Sequence, residues 1–333
     1  MKRVPGLRML GPLAAWLRSK AGNRALRALQ GLLFLAMLAY LAYVLGRIGW
    51  GSVLAALPTN PLFYLLTVPL FLALPIADWL SYQAVWGKRF ARSWPVFIRK
   101  RVYNQGLVGY AGEAYLAWWA VQRGGLRSGE ALAHVKDISV LAASAGNVAS
   151  ALLALGFLAA YGWQGETGRL MLAASAFLVL VLVISALLRK RIISLPAGTL
   201  RTVLSIHLIR VAIVLPLQVL QWEAALPQAP ISAWLLILTA QMLISRVPLL
   251  PNRELAGVGA GLSIAGALTI PAAETAAMLV AAGALMQALN FAAFLATSFG
   301  AYAPDPPPPA AAEAVPSAAQ EPASAPEQAS TPV

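Results

Sequence analysis

Cysteine is absent and histidine nearly so: the 333 residues include no Cys and only two His. Without Cys the chain has no disulfide, no thiolate metal site and no thiol nucleophile. His134 and His207 are too few for a histidine-rich metal centre, and no GxSxG elbow, P-loop or HExxH helix is present. Charge is equally scarce, at 11% of residues against about 25% in an ordinary soluble domain. Acid is the scarcest kind, with 12 Asp and Glu against 25 Lys and Arg. These shortages exclude thiol and histidine-metal chemistry and argue against a soluble fold, and no cofactor and no catalytic residue is assigned.

What fills the chain instead is hydrocarbon. Hydrophobic residues make up 59% of it, and the mean hydropathy is +0.71. In lipid every backbone N–H and C=O must be satisfied within the structure, which a helix does by itself. At about 20 residues per crossing, seven to nine apolar segments are expected. The fold class is therefore all-α: a polytopic transmembrane helical bundle.

The positive excess of +13 is a candidate signal for nucleic acid, but its placement argues otherwise. Residues 1–28 hold Lys2, Arg3, Arg8, Arg18, Lys20, Arg24 and Arg27 with no acid. Further basic groups, Lys88 to Arg101, Arg123 to Lys136 and Arg189-Lys190-Arg191, stand beside apolar segments. That is the positive-inside pattern, with anionic headgroups as the partner at roughly 1 kcal/mol for each nearby cation. It predicts a multi-pass protein of the cytoplasmic (inner) membrane, its N-terminus cytoplasmic and no nucleic acid among its partners.

The apolar run Leu29–Leu45 is expected to be an uncleaved first crossing, since it is long and no clear small-residue cleavage site follows closely. Three parts result: a basic cytoplasmic segment over 1–28, a polytopic membrane domain over 29–298, and a Pro/Ala-rich tail over 299–333. The tail has no aromatic residue after Tyr302 and is predicted to be disordered.

Two stretches break the apolar pattern, Tyr103–Glu113 and Pro248–Gly259, about 145 residues apart. Each combines helix-weakening Gly or Pro with an Asn and a Glu. Free backbone groups and carboxylates are tolerated in the membrane only where protein or a water-filled cavity satisfies them. Basic flanks on both sides of Val102–Val121 point to a re-entrant hairpin there. Leu255–Ile270 either re-enters or spans, which gives one or two such hairpins and leaves the side of the C-terminus open. Paired interrupted segments are the sequence pointer to a repeat-built transport site. Asn104, Glu113, Asn252, Arg253 and Glu254 are accordingly candidate substrate-binding residues. A purely structural role for either Glu, as a helix cap or ion-pair partner, is the alternative.

Polar residues also line single helix faces. At 100° per residue His207, Arg210, Val214, Gln218 and Gln221 share one narrow stripe, which makes His207 and Arg210 candidates for a cavity wall. The plainer readings are a snorkelling Arg210 and a satisfied interior His207. Asp137, Ser144 and Asn147 share another face, as do Gly283, Gln287 and Asn290, and both fit helix packing. Asp78-Trp79 reads as an interfacial pair at the basic end of Leu62–Leu80.

The chain resembles the flippase-like integral membrane family typified by the membrane domain of lysylphosphatidylglycerol synthase. The likeness covers about residues 30–298. It is carried by the basic loop leading to Asn104, by Gly112-Glu113 opening an apolar helix, by Leu250-Pro251 with Gly257 and Gly259, and by Pro271-Ala272-Ala273-Glu274. Near Gly109 the family usually has Pro, and an Arg shortly after the Gly-Glu pair; neither is present. Asn252-Arg253-Glu254 likewise replaces the family's Pro-Gly-Gly-type segment. The resemblance implies translocation or handling of an anionic phospholipid, or of a polyprenyl- or hopanoid-type lipid. No aminoacyl-transferase domain follows, so aminoacylation is not expected. The rival expectations are a membrane-embedded lipid-phosphate transferase and a non-catalytic scaffold for an envelope-lipid biosynthesis enzyme.

Overall fold

The structure is a computed structural model and describes residues 50–87, 92–106, 110–245, 253–267 and 270–298, together with Tyr43. The expected first crossing Leu29–Leu45 lies outside them, apart from Tyr43, as do the basic segment 1–28 and the tail. The described residues form helices and no strands. In order these are α1 (Trp50–Ala55), α2 (Pro61–Trp86), α3 (Trp94–Gly106), α4 (Ala111–Gln122), α5 (Ser128–Tyr161) and α6 (Gly165–Leu187), followed by α7 (Arg189–Ile192), α8 (Ala197–Ala225), α9 (Ile231–Ile244), α10 (Arg253–Ala267) and α11 (Ala272–Ser298).

Four of these, α2, α5, α8 and α11, are long and apolar enough to cross a membrane, and the apolar stretches Met171–Leu187 and Ile231–Ile244 are shorter. The protein is thus a membrane protein built as a helical bundle. Both breaks fall between short helices, α3 with α4 and α9 with α10. These have 13, 12, 14 and 15 residues, short of the about 20 that a crossing needs. Each pair packs together as a helical hairpin. Most of the stretch 255–270 belongs to α10, which forms the second arm of such a hairpin.

Local chemistry explains the ends of the long helices. Asn60 precedes α2 in an extended conformation and its side chain accepts from Leu62 N–H at 2.9 Å, with Pro61 at the first helical position, where its missing N–H costs nothing. The helix stops at Gly87, whose φ of 91° only Gly adopts without strain. Asp137 on α5 receives Ser194 N–H, Ser194 Oγ–H and Leu195 N–H, at 2.6 to 3.2 Å, on its Oδ2. It thereby holds the turn that feeds α8. Ser144 instead donates to Val140 of its own helix, so the face it shares with Asp137 is not one polar seam.

α2 packs against α8 along an extensive seam. Around its two ends lie two aromatic-rich cores. One gathers Tyr82, Trp86, Phe97, Leu116, Ile138 and Val203; the other gathers Phe63, Trp222, Trp234, Ile237 and Met278. α5 packs beside α8, α6 packs on α5, and α11 lies across α3, α10 and α2. On α6, Leu172, Phe177, Leu180, Val183 and Leu187 are exposed, a face that suits lipid and would be an unusual apolar patch in water.

Candidate functional site

The stripe predicted on α8 exists, and its members face different surroundings. His207, fully buried, lies with Nε2 3.3 Å from Ser81 Oγ on α2. Arg210 lines a groove on the outside of the α2–α8 seam. Val214, Gln218 and Gln221 line a cleft on the inner side. One helix face therefore serves a closed contact, a groove and a cleft in turn.

At the His207 end the bundle holds a buried charge cluster. Lys100 on α3 stands 2.7 Å from Asp78 on α2 and 3.3 Å from Glu113 on α4. Asp78 is 3% exposed and Lys100 5%, with the ammonium 5.8 Å from the centre of the Tyr82 ring. Two carboxylates thus share one cation, and Glu113 Oε2 is buried with no hydrogen-bond partner among the described residues. Breaking such a pair costs more than forming it gains, because the remaining charge stays buried. The cluster is a lock between α2 and the first hairpin.

The hairpin itself is clasped by two of the residues singled out in the sequence. Asn104 Oδ1 accepts from Gly112 N–H at 2.7 Å, satisfying one of the amides that a helix start leaves unpaired. Just before it, Tyr110 adopts a left-handed φ of 72°. A Cβ on Gly112 would lie 2.1 Å from the Lys100 carbonyl oxygen and 2.8 Å from Asn104 Oδ1. Gly at 112 is what lets α3 and α4 approach closely enough to place Lys100 and Glu113 together.

The partners of two sequence features become visible here. Asp78 is buried, and its partner is 22 positions away on the next helix, beyond the reach of local spacing. The cations near 100 are engaged inside the bundle. Lys100 is held by Asp78 and Glu113, Arg99 donates to the Thr297 carbonyl, and Arg101 donates to Met286 Sδ and lies over the Phe71 ring.

The groove has a volume of about 400 Å3 and is walled by apolar side chains of both helices, including Leu72, Ile76, Leu80, Ile209 and Ile213. Among the described residues Arg210 is its one ionisable residue, and its Nε is buried without a partner among them.

The cleft, of about 310 Å3, opens where α2 and α8 meet the second hairpin and α11. Its polar lining among the described residues is Thr67, Gln218, Gln221, Trp222, Gln241 and Ser245. Gln221 is fully engaged: its Nε2 donates to the Phe63 carbonyl at 3.1 Å and to Thr67 Oγ1 at 2.8 Å, and its Oε1 accepts from Gln218 at 2.8 Å. Thr67, Trp222, Gln241 and Ser245 were missed in the sequence because they are spread over three helices, α2, α8 and the end of α9.

Of the remaining candidates, Asn252 lies outside the described residues. Arg253 and Glu254 open α10, and their side chains also lie outside what is described. The structure places Asn104 in the clasp on Gly112 and Glu113 in the lock, and leaves His207 and Arg210 on adjoining parts of the seam. Compared with protein-family models, curated proteins and solved structures, the chain matches none.

Proposed function

We propose that this chain translocates or handles an anionic lipid in the membrane, in the manner of flippase-like proteins. The observation that carries the reading is the α2–α8 groove: an apolar trough with Arg210 as the single ionisable group among the described residues that line it. Acyl or polyprenyl chains lie against its aliphatic walls, and the guanidinium takes the phosphate, which it binds through paired charge-assisted hydrogen bonds. An Arg at membrane depth costs a few kcal/mol on insertion scales, a cost that phosphate binding offsets.

Prolines stand in both helices that form the groove, Pro69 and Pro75 in α2 and Pro216 in α8. Each removes a helix hydrogen bond and permits bending, which suits a groove that opens and closes as one part of the bundle rocks against another. The lock at Asp78, Lys100 and Glu113 keeps the first hairpin fixed to α2 during that movement. We place the protein in the cytoplasmic membrane with its N-terminus cytoplasmic, on the strength of the basic clusters beside the apolar segments.

Transport of a fluorescent anionic phospholipid across liposomes tests the proposal. Arg210→Ala is expected to lower the rate by about tenfold, the loss of a hydrogen bond to a charged group. Wild-type protein giving no flux above empty liposomes overturns it.

A further inference from the structure

We propose that α2–α5 and α8–α11 are two copies of one helical unit inserted in opposite senses, and that they rock about a two-fold axis through the α2–α8 groove to give alternating access. The proposal rests on the lipid-handling reading only for what is carried. The repeat and its movement stand on the packing of the bundle.

The packing pairs off across the two units. Within them α2 meets α3 as α8 meets α9, the hairpins α3–α4 and α9–α10 each close on themselves, and α4 meets α5 as α10 meets α11. Between them α3 packs on α11 as α9 packs on α5, and α5 packs on α8 as α11 packs on α2. A slight α2–α5 contact is the exception. In each hairpin a glycine brings the second arm in: Gly112 faces the Lys100 carbonyl, and Gly257 faces the Gln241 side chain. The senses of the units are opposite. The first core joins the end of α2, the first hairpin and the starts of α5 and α8; the second joins the end of α8, the second hairpin and the starts of α11 and α2. The two hairpins therefore enter from opposite ends of the bundle. α6 returns the chain between the units, and α11 finishes at the basic end, where the Thr297 carbonyl accepts from Arg99.

Any two antiparallel helices have a local two-fold, so it is the hairpins that extend it to whole units. A shift of 140 positions carries Tyr82 and Phe97 of the first core onto Trp222 and Ile237 of the second, and Phe63 of the second onto Val203 of the first. The same shift carries Pro69, Ala73 and Ala77 of the groove onto Ile209, Ile213 and Leu217 of its facing wall. The axis thus passes through the groove, at the repeat interface where inverted repeats hold their substrate. Each end of the seam is latched in a related way. Near the basic end Ser81 Oγ lies 3.3 Å from His207 Nε2; near the other Gln221 Nε2 donates to Thr67 Oγ1 at 2.8 Å. Ser81 shifts onto Gln221 and Thr67 onto His207. The ion pairs of the lock make α2 and the first hairpin one body. When that body tilts against α8, one latch opens while the other holds, and the groove is reached from one side at a time.

Because the chain has no Cys, introduced cysteines report on the full-length protein without background. In proteoliposomes an impermeant maleimide should reach Ser128→Cys and Ser317→Cys from one side, and Gln164→Cys and Gln228→Cys from the other. Labelling of Ser317→Cys from the side of Gln228→Cys overturns the inverted arrangement. Rocking is read in nanodiscs by pulsed-EPR distances between spin labels. One pair, Ala84→Cys with Ser205→Cys, spans the basic end; its counterpart under the shift, Ala224→Cys with Leu65→Cys, spans the other. Gln221→Leu should raise the population of long Leu65–Ala224 distances about threefold, the weight of an average interhelical hydrogen bond, and lower it at the basic end. His207→Leu should do the reverse, as should Ser81→Ala, which removes a single hydroxyl and keeps the variant folded. Lengthening of both ends together, or no change at either, overturns the proposal. Reciprocal shifts in protein that gives no lipid flux remove the lipid-handling reading and leave the repeat standing.

Discussion

The two ends of the α2–α8 seam meet the same problem, polar groups inside an apolar bundle, in opposite ways. Near Asp78 the chain uses full charges, and closes them in: Lys100 between two carboxylates, with Ser81 and His207 beside them. Near Thr67, about 16 Å away along the helix at 1.5 Å per residue, it uses neutral amides and hydroxyls and leaves a cleft open. A buried charge is expensive unless paired, so the charged end must be closed and rigid. Neutral groups tolerate an unmet hydrogen bond at lower cost, so an open cleft is tolerated at the neutral end. One end is closed by charge pairing and the other stays open.

The largest effect expected of that contrast is at Lys100. Lys100→Met leaves Asp78 and Glu113 buried without a counter-ion and should destabilise by about 3–5 kcal/mol, read as a large fall in Tm in detergent. Combining it with Asp78→Asn and Glu113→Gln should restore much of the loss, because the stranded charges are gone. An unchanged Tm in Lys100→Met would remove the lock and with it the contrast.

Next is the clasp. Gly112→Ala forces a Cβ against the Lys100 carbonyl and should cost about 1–3 kcal/mol, as overpacking does. The same substitution at Gly283, where the space is open, should leave Tm nearly unchanged. A similar loss at both positions would show that the closeness of α3 and α4 is not special.

At the neutral end Gln221→Leu removes the hydrogen bonds to Phe63 and Thr67. Interhelical hydrogen bonds of this kind average about 0.6 kcal/mol in membrane proteins, with a maximum near 1.7, so the Tm should fall by clearly less than in Lys100→Met. The smallest effect is expected for Ser81→Ala. Its contact with His207 at 3.3 Å is long, and its loss should be worth about 0.5 kcal/mol. Denaturation curves in which Gln221→Leu exceeds Lys100→Met would reverse the assignment of the two ends.

Periodicity and composition made much of the bundle legible. Scarce charge and long apolar runs pointed to helices, and α2, α5, α8 and α11 fall on segments the sequence marked. The breaks at 103–113 and 248–259 marked where hairpins turn, because Gly, Pro and Asn weaken helices locally. The 3.6-residue repeat likewise placed His207, Arg210 and Gln221 on one side of α8. What it could not say was that this side meets Ser81, a groove and a cleft in succession. The ion pair of Asp78 escaped notice because its partner Lys100 belongs to another helix. Trp222, Gln241 and Ser245 escaped notice because a cleft made by several helices leaves no pattern in any one of them.

By itself the sequence determined the solvent and the local geometry: a chain with 11% charged residues and 59% hydrophobic ones belongs in lipid as helices, interrupted where Gly and Pro fall. Tertiary structure alone decided which polar groups meet. Backbone hydrogen bonding and helix propensity act over a few residues, and the sequence therefore shows them directly. The pairing of Lys100 with Asp78 and Glu113, and the convergence of neutral amides around an open cleft, depend on how helices far apart in the chain pack, and only the folded bundle sets those distances.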